Sequence, residues 1–207
     1  MATLYSFRRC PYAMRARMAL HISGESYEHR EILLRDKPAA MLEASPKGTV
    51  PVFITDSKEV IDESLDLALW ALGRRDPENW LGPFDAELTA QNDGPFKTHL
   101  DRYKYASRYD AAKKRGEVDR AHRAAALEIL VDLNERLTHS PYLSGPARSL
   151  TDIAIFPFIR QFAAVEPDWW QAAPLPALRR WLEEHLQSDL FKAVMTKYPL
   201  WQPVCAQ

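Results

Sequence analysis

Cys10-Pro11-Tyr12-Ala13 is the run with the clearest chemical content in this chain. The apolar residues 3–7 predict a short strand, and Arg8 and Arg9 predict a turn after it. Proline suits the first position of a helix, where its missing N–H would be unpaired in any case. Pro11 in that position makes Cys10 the N-cap. Its sulfur then faces unpaired backbone N–H groups and the positive end of the helix dipole. Such a thiol has its pKa lowered from about 8.5 into the range of roughly 3.5–7.5. At pKa 8.5 about 3% is thiolate at pH 7, and at pKa 6 about 90% is. A drop of about 2.5 units raises the thiolate fraction roughly 30-fold, while intrinsic nucleophilicity falls roughly 10–20-fold. The gain as an attacking group is therefore small, and the gain as a leaving group is larger. That balance suits the making and resolving of a mixed disulfide. A dithiol pair is excluded, because Ala13 stands where a second cysteine would be, so Cys10 works with an external thiol.

Three further places carry weaker signals. Val50-Pro51 opens an apolar, β-branched stretch. A cis bond there would turn the Val50 N–H and C=O toward whatever lies above Cys10; the plainer reading is a proline at a strand edge. Glu63-Ser64 begins a helix, where the Ser64 hydroxyl and N–H can receive a carboxylate and Glu63 an ammonium. The same pair also reads as an ordinary helix start. Lys37, before a proline-led helix, is either a carboxylate clamp or a solvated lysine. The six histidines show no metal-ligand spacing, and with only seven glycines there is no phosphate-cradling loop, so neither metal nor nucleotide is expected.

The elements that must hold these residues follow from periodicity and punctuation. Strand and helix signals alternate over the first part as β-α-β-α-β-β-α, and everything later reads as helix. The expected division is a first domain over 1–74, a linker over 75–84 and an all-helical domain over 85–207. The helical part has a break near Asp93-Gly94-Pro95 and a capping box at Ser149-Leu150-Thr151-Asp152. With 207 residues and 46% hydrophobic content the chain can bury a real core. A net charge of −1 provides no field to recruit nucleic acid or an acidic membrane. Signal-peptide and membrane-span patterns are absent from the sequence, and two distant cysteines, Cys10 and Cys205, fit a reducing, cytoplasmic setting.

In order along the chain, Cys10-Pro11-Tyr12-Ala13, Lys37-Pro38, Ser45-Pro46-Lys47-Gly48-Thr49-Val50-Pro51-Val52 and Ile61-Asp62-Glu63-Ser64 resemble the N-terminal domain of the cytosolic glutathione transferases. The pattern is most similar to the cysteine-type omega class, and it also resembles the two-domain bacterial glutaredoxins. Ser149-Leu150-Thr151-Asp152 resembles the family's capping box in its core helix. The resemblance implies an α/β thioredoxin-like domain followed by an all-α domain, with glutathione as co-substrate and a homodimer favoured. It also implies roles for individual residues. Cys10 would form the mixed disulfide, with the backbone N–H of Tyr12 near its sulfur. Val50, before a cis Pro51, would pair with the cysteinyl unit of glutathione. Glu63 and Ser64 would hold the γ-glutamyl end, and Lys37 would meet the glycyl carboxylate. Tyr12 stands where the omega pattern often has Phe. In this fold the first long helix of the second domain walls the acceptor cleft. Tyr103, Tyr105 and Arg108 are the expected lining for a small disulfide or glutathionylated substrate; the plainer reading is a solvated face with tyrosines at a dimer contact.

The leading functional expectation is thiol transfer through a Cys10–glutathione disulfide, as deglutathionylation or dehydroascorbate reduction. The alternatives are conjugation of glutathione to electrophiles and a noncatalytic interaction module.

Overall fold

The computed structural model describes residues 1–203, and Cys205 lies outside them. The chain forms two compact units: Met1–Leu81 together with the stretch from Ser188 onward, and Gly82–Gln187.

In the first unit the elements run β1 (Ala2–Ser6), α1 (Pro11–Ser23), β2 (Tyr27–Glu31), α2 (Ala39–Ala44), β3 (Val52–Ile54), β4 (Val60–Ile61) and α3 (Ser64–Arg74). The strands lie in the order β2-β1-β3-β4, with β1 parallel to β2 and antiparallel to β3, and with β4 antiparallel to β3. Successive strand residues face opposite sides. Leu4 pairs with Phe53 on one side and Tyr5 with Val52 on the other. The first side packs on Ala16 and Leu20 of α1 and on Leu67 and Ala71 of α3. The second side packs with Ile32, Met41 of α2 and Val50. Gly24 ends α1 at φ +73°, where its N–H reaches the Leu20 and His21 carbonyls.

The second unit is helical: α4 (Ala86–Gln91), α5 (Lys97–Lys104), α6 (Arg120–His139), α7 (Leu150–Ala163), α8 (Pro167–Ala172) and α9 (Pro176–Gln187). The break expected near Asp93-Gly94-Pro95 is a π-helical turn, Asn92–Phe96, joining α4 to α5. Nearly every residue of α7 is buried, as an all-round apolar helix requires. Its start carries the predicted capping box. The Asp152 carboxylate accepts from the Ser149 N–H (3.0 Å), Ser149 Oγ (3.0 Å), the Leu143 N–H (2.9 Å) and Trp181 Nε1 (2.9 Å).

The sequence assigns everything after residue 85 to the helical half. The structure returns the last part to the first unit instead. There α10 (Asp189–Val194) packs on α1, and beyond it the Trp201 N–H donates to the Glu31 carbonyl at 2.9 Å, along the open side of β2. The physical reason is at that strand: β2 is an edge, and its unpaired backbone needs a partner.

His185 on α9 is enclosed by the rings of Trp181, Phe156 and Tyr142. Burial, with Arg148 nearby, pushes its pKa down to about 3. The unfolded chain then binds a proton that the folded one refuses, so stability falls as pH drops from about 6.5 toward about 3. The slope is about 1.4 kcal/mol per pH unit well below 6.5. His99, whose pKa is lowered by burial beside His122, adds to the same limb. His185→Phe is expected to flatten it, as read from urea midpoints between pH 7 and pH 5. An unchanged limb would assign the acid sensitivity elsewhere.

Candidate active site

Cys10 is the N-cap of α1 with extended backbone angles, and Pro11 is the first helical residue. The turn before it is closed by the Cys10 N–H to the Phe7 carbonyl (3.0 Å). Cys10 is half-buried, and its Sγ stands 3.7 Å from the Val50 carbonyl oxygen. The Val50-Pro51 bond is cis. Thus β1, α1 and the loop into β3 meet at the sulfur. Tyr12 is half-buried beside it, with the Arg15 guanidinium 5.7 Å from its ring.

Loop 45–50 links Cys10 to the other expected ligand residues of this unit. Gly48 takes φ +62°, and a Cβ added there would stand 3.3 Å from Lys37 Nζ, so Lys37 lies against that loop. Lys47 Nζ reaches Glu63 (2.7 Å) and Asp62 (2.9 Å), and Ser45 Oγ donates to Asp62 at 2.6 Å. These contacts hold the Asp62 carboxyl below the usual range, with Ser45 the larger cause and Lys47 the next. The Lys47 ammonium is held above its usual range by Glu63 first and Asp62 second. Glu63 itself is the N-cap of α3 and Ser64 its first helical residue, so the helix starts one residue earlier than a Ser64 cap would start it. Ser64 is buried, and its Oγ accepts from Arg15 Nη1 at 3.3 Å.

Sequence reasoning did not single out Arg15, Arg17, Lys47 or Asp62 as site residues. The two arginines are 1% and 2% exposed, in the middle of α1. The signal that could have found them is the lack of a polar face on this helix: with alanine, methionine and leucine on every side, two arginines have nowhere to go but inward. Lys47 and Asp62 were part of recognised motifs, but their pairing becomes visible only when loop 45–50 and the start of α3 are brought together.

The expected acceptor residues lie in the second unit, and one of them is corrected. Tyr103 lines no open surface. It is fully buried, its ring packed on Phe162 and its hydroxyl donating to Glu166 at 2.9 Å. Arg123 (2.6 Å) and Arg120 (2.9 Å) complete that carboxylate's partners, so Tyr103 is part of a brace among α5, α6 and the start of α8. The helix α5 stops at Lys104, and a 3-10 turn, Ala106–Arg108, follows. Tyr105 is half-buried and Arg108 exposed, with the guanidinium 4.2 Å from the Tyr105 ring.

The first unit therefore gathers a thiol at a helix start, the Val50 carbonyl beside it, carboxylates at a second helix start and two lysines around one loop. The fold is a thioredoxin-like domain followed by a helical domain.

Comparison with known proteins gives the family. Residues 4–80 match the family described as glutathione S-transferase, N-terminal domain, and residues 98–184 its C-terminal domain. The chain belongs to the glutathione S-transferase family, and it is a glutathione transferase. It is 29% identical to glutathione S-transferase U19 of Arabidopsis thaliana, over 90% of this chain and 85% of that one. It is 28% identical to glutathione S-transferase omega-1 of Mus musculus, over 86% and 74%. It is 27% identical to glutathione S-transferase DHAR2 of Arabidopsis thaliana, over 72% and 64%. Among solved structures, a glutathione S-transferase from Rhodospirillum rubrum F11 shares the fold at a TM-score of 0.74 and 19% identity, covering 98% of this chain and 96% of that one. One from Methylobacillus flagellatus KT, solved with GSH bound, has the same score and identity, covering 94% and 98%. Among the described residues no helix is long and apolar enough to cross a membrane.

Proposed function

We propose that this protein is a glutathione-dependent thiol transferase that works through a Cys10–glutathione disulfide. The observation that carries this reading is the placement of the Cys10 sulfur at the start of α1, 3.7 Å from the Val50 carbonyl. A ligand peptide paired with the Val50 backbone would bring its own cysteine to that sulfur. Glutathione has the matching ends: Glu63 for its ammonium, Ser64 and the start of α3 for the γ-glutamyl carboxylate, and Lys37 for the glycyl carboxylate. In this reading Val50 and Pro51 frame the cysteinyl unit of glutathione, and the Tyr12 N–H faces the reacting sulfur. The likeness to omega-1 and DHAR2 supports the cysteine chemistry.

The Cys10 thiolate attacks the glutathionyl sulfur of R–S–S–G. The S–S bond breaks, R–S⁻ leaves and takes a proton, and Cys10–S–S–G remains. A second glutathione thiolate attacks the glutathionyl sulfur, oxidised glutathione departs and Cys10 returns as thiolate. Dehydroascorbate reduction would consume two glutathiones in the same redox balance.

Treatment with oxidised glutathione followed by peptide mass spectrometry is the direct test. One glutathionyl group on the Cys10 peptide is expected. An adduct found only on Cys205 would overturn the reading. The likeness to glutathione S-transferase U19 favours conjugation as the second reading. Turnover of a chloronitrobenzene exceeding turnover of a glutathionylated peptide would select it.

A further inference from the structure

Arg17 occupies an unusual place for a permanent cation. It lies on α1 at 2% exposure, and its donors all meet neutral oxygens: Nη1 to Ser6 Oγ (2.6 Å) and to the Phe7 carbonyl (3.5 Å), Nη2 to the Arg8 carbonyl (2.8 Å), and Nε to the Val194 carbonyl (3.1 Å). Among the described residues, no carboxylate lies within ion-pair distance of Arg17. Arginine does not lose its proton inside proteins. A buried positive charge held only by dipoles is costly unless a negative charge stands near enough to answer it.

Two of those carbonyls belong to the turn that presents Cys10. The Phe7 oxygen that faces Arg17 also accepts the Cys10 N–H at 3.0 Å, so guanidinium, carbonyl and cysteine backbone form one chain of contacts. We propose that Arg17 is a positioning residue for the nucleophile: it clamps the turn before Cys10 and serves as the buried counter-charge that holds the sulfur as thiolate.

The charges around this pair come from every side. On β2 stand Tyr27, His29 and Glu31, whose carboxylate accepts the Arg8 N–H (2.6 Å) and faces His29 Nε2 (3.1 Å). In the last stretch, Tyr198 stacks on His29 at 4.0 Å. On the turn are Arg8 and Arg9, the latter exposed. Burial lowers the Arg17 pKa, and the opposing influences are, in order, Glu31, Tyr27, Cys10 and Tyr198. Glu31 therefore competes with the Cys10 thiolate for the same cation. Carboxylate and thiolate also repel each other, so Glu31 works against Arg17 at Cys10.

This inference rests on Cys10 being the reactive thiol, and its test separates the two ideas. The rate of iodoacetamide alkylation is followed against pH, peptide by peptide, in the intact protein without glutathione. The wild-type midpoint for Cys10 is expected well below 8.5; a midpoint at about 8.5 would sink the reactive-thiol reading itself. With a low wild-type midpoint, Arg17→Met is expected to raise it by about one unit. Arg17→Lys, which keeps the charge but loses the fork, is expected to restore most of that shift. An unmoved midpoint in Arg17→Met, or equal shifts in both variants, would leave Arg17 a structural clamp and overturn the proposal. Should Arg17→Met fail to fold, Glu31→Gln decides from the other side. It keeps an acceptor for the Arg8 N–H, removes the competing charge and is expected to lower the midpoint; no change would count against the proposal.

Discussion

Cys10→Ser is expected to remove glutathionyl transfer from a mixed-disulfide substrate, lowering its rate on the order of 10³-fold or more. Cys10 is the N-cap of α1, where the positive end of the helix dipole favours a charged sulfur, and a serine hydroxyl there stays protonated at neutral pH. Serine also cannot form the S–S bond on which the two-step exchange depends. The substitution is nearly isosteric, and Cys10 is only half-buried, so the fold should survive and glutathione binding should be retained. The measurement is turnover of a glutathionylated peptide by the variant, beside glutathione affinity. Retention of full transfer would place the chemistry at another thiol. Loss of transfer together with retained conjugation would mean that glutathione binds and is activated without a cysteine nucleophile.

Asp152→Ala is expected to cost about 3–5 kcal/mol of folding stability. Its side chain is fully buried at the start of α7, and it gathers donors from the 149 position, from Leu143 and from the Trp181 indole. Burial pushes the carboxyl above the ordinary carboxylate range, while those donors oppose the shift. Alanine would leave several buried N–H groups without an acceptor, each carrying a desolvation penalty of about 1–3 kcal/mol. It would also remove the link between the core helix and α9. Against a total stability of about 5–15 kcal/mol, the loss is a large share of what holds the fold. Guanidinium titration reads the change. Asp152→Asn retains one acceptor oxygen and is expected to fall between wild type and alanine. A loss below about 1 kcal/mol in the alanine variant would show that water or a rotated backbone replaces the carboxylate.

Much of the site was legible because its signals are local. Pro11 can occupy few positions other than the first of a helix, and so it marks Cys10 as the N-cap. Gly24 ends the same helix. Ser149 and Asp152 mark the start of α7 by reciprocal bonding over a single turn. The less legible features depend on residues distant in sequence. The burial of Arg15 and Arg17 is complete only because α1 is enclosed by the sheet and α3 on one side and α10 on another. Tyr103 has the composition of an acceptor-site residue, and its burial follows from Glu166, whose position relative to α5 is fixed only by the packing of the helical unit. The partnership of Lys47 with Glu63 likewise depends on loop 45–50 meeting the start of α3.

The return of the last stretch to β2 has a consequence for how the molecule is made. A ribosome delivers the sheet unit first, yet that unit lacks its final pieces until the whole helical unit has been translated. Until then the Arg17 guanidinium has no Val194 carbonyl to meet, and the Glu31 carbonyl awaits the Trp201 N–H. The helical unit, synthesised second, is contiguous and is the first to have all its parts. Maturation therefore runs against the direction of translation, and a nascent chain arrested before Ser188 exposes an adhesive strand edge beside an unfinished thiol site.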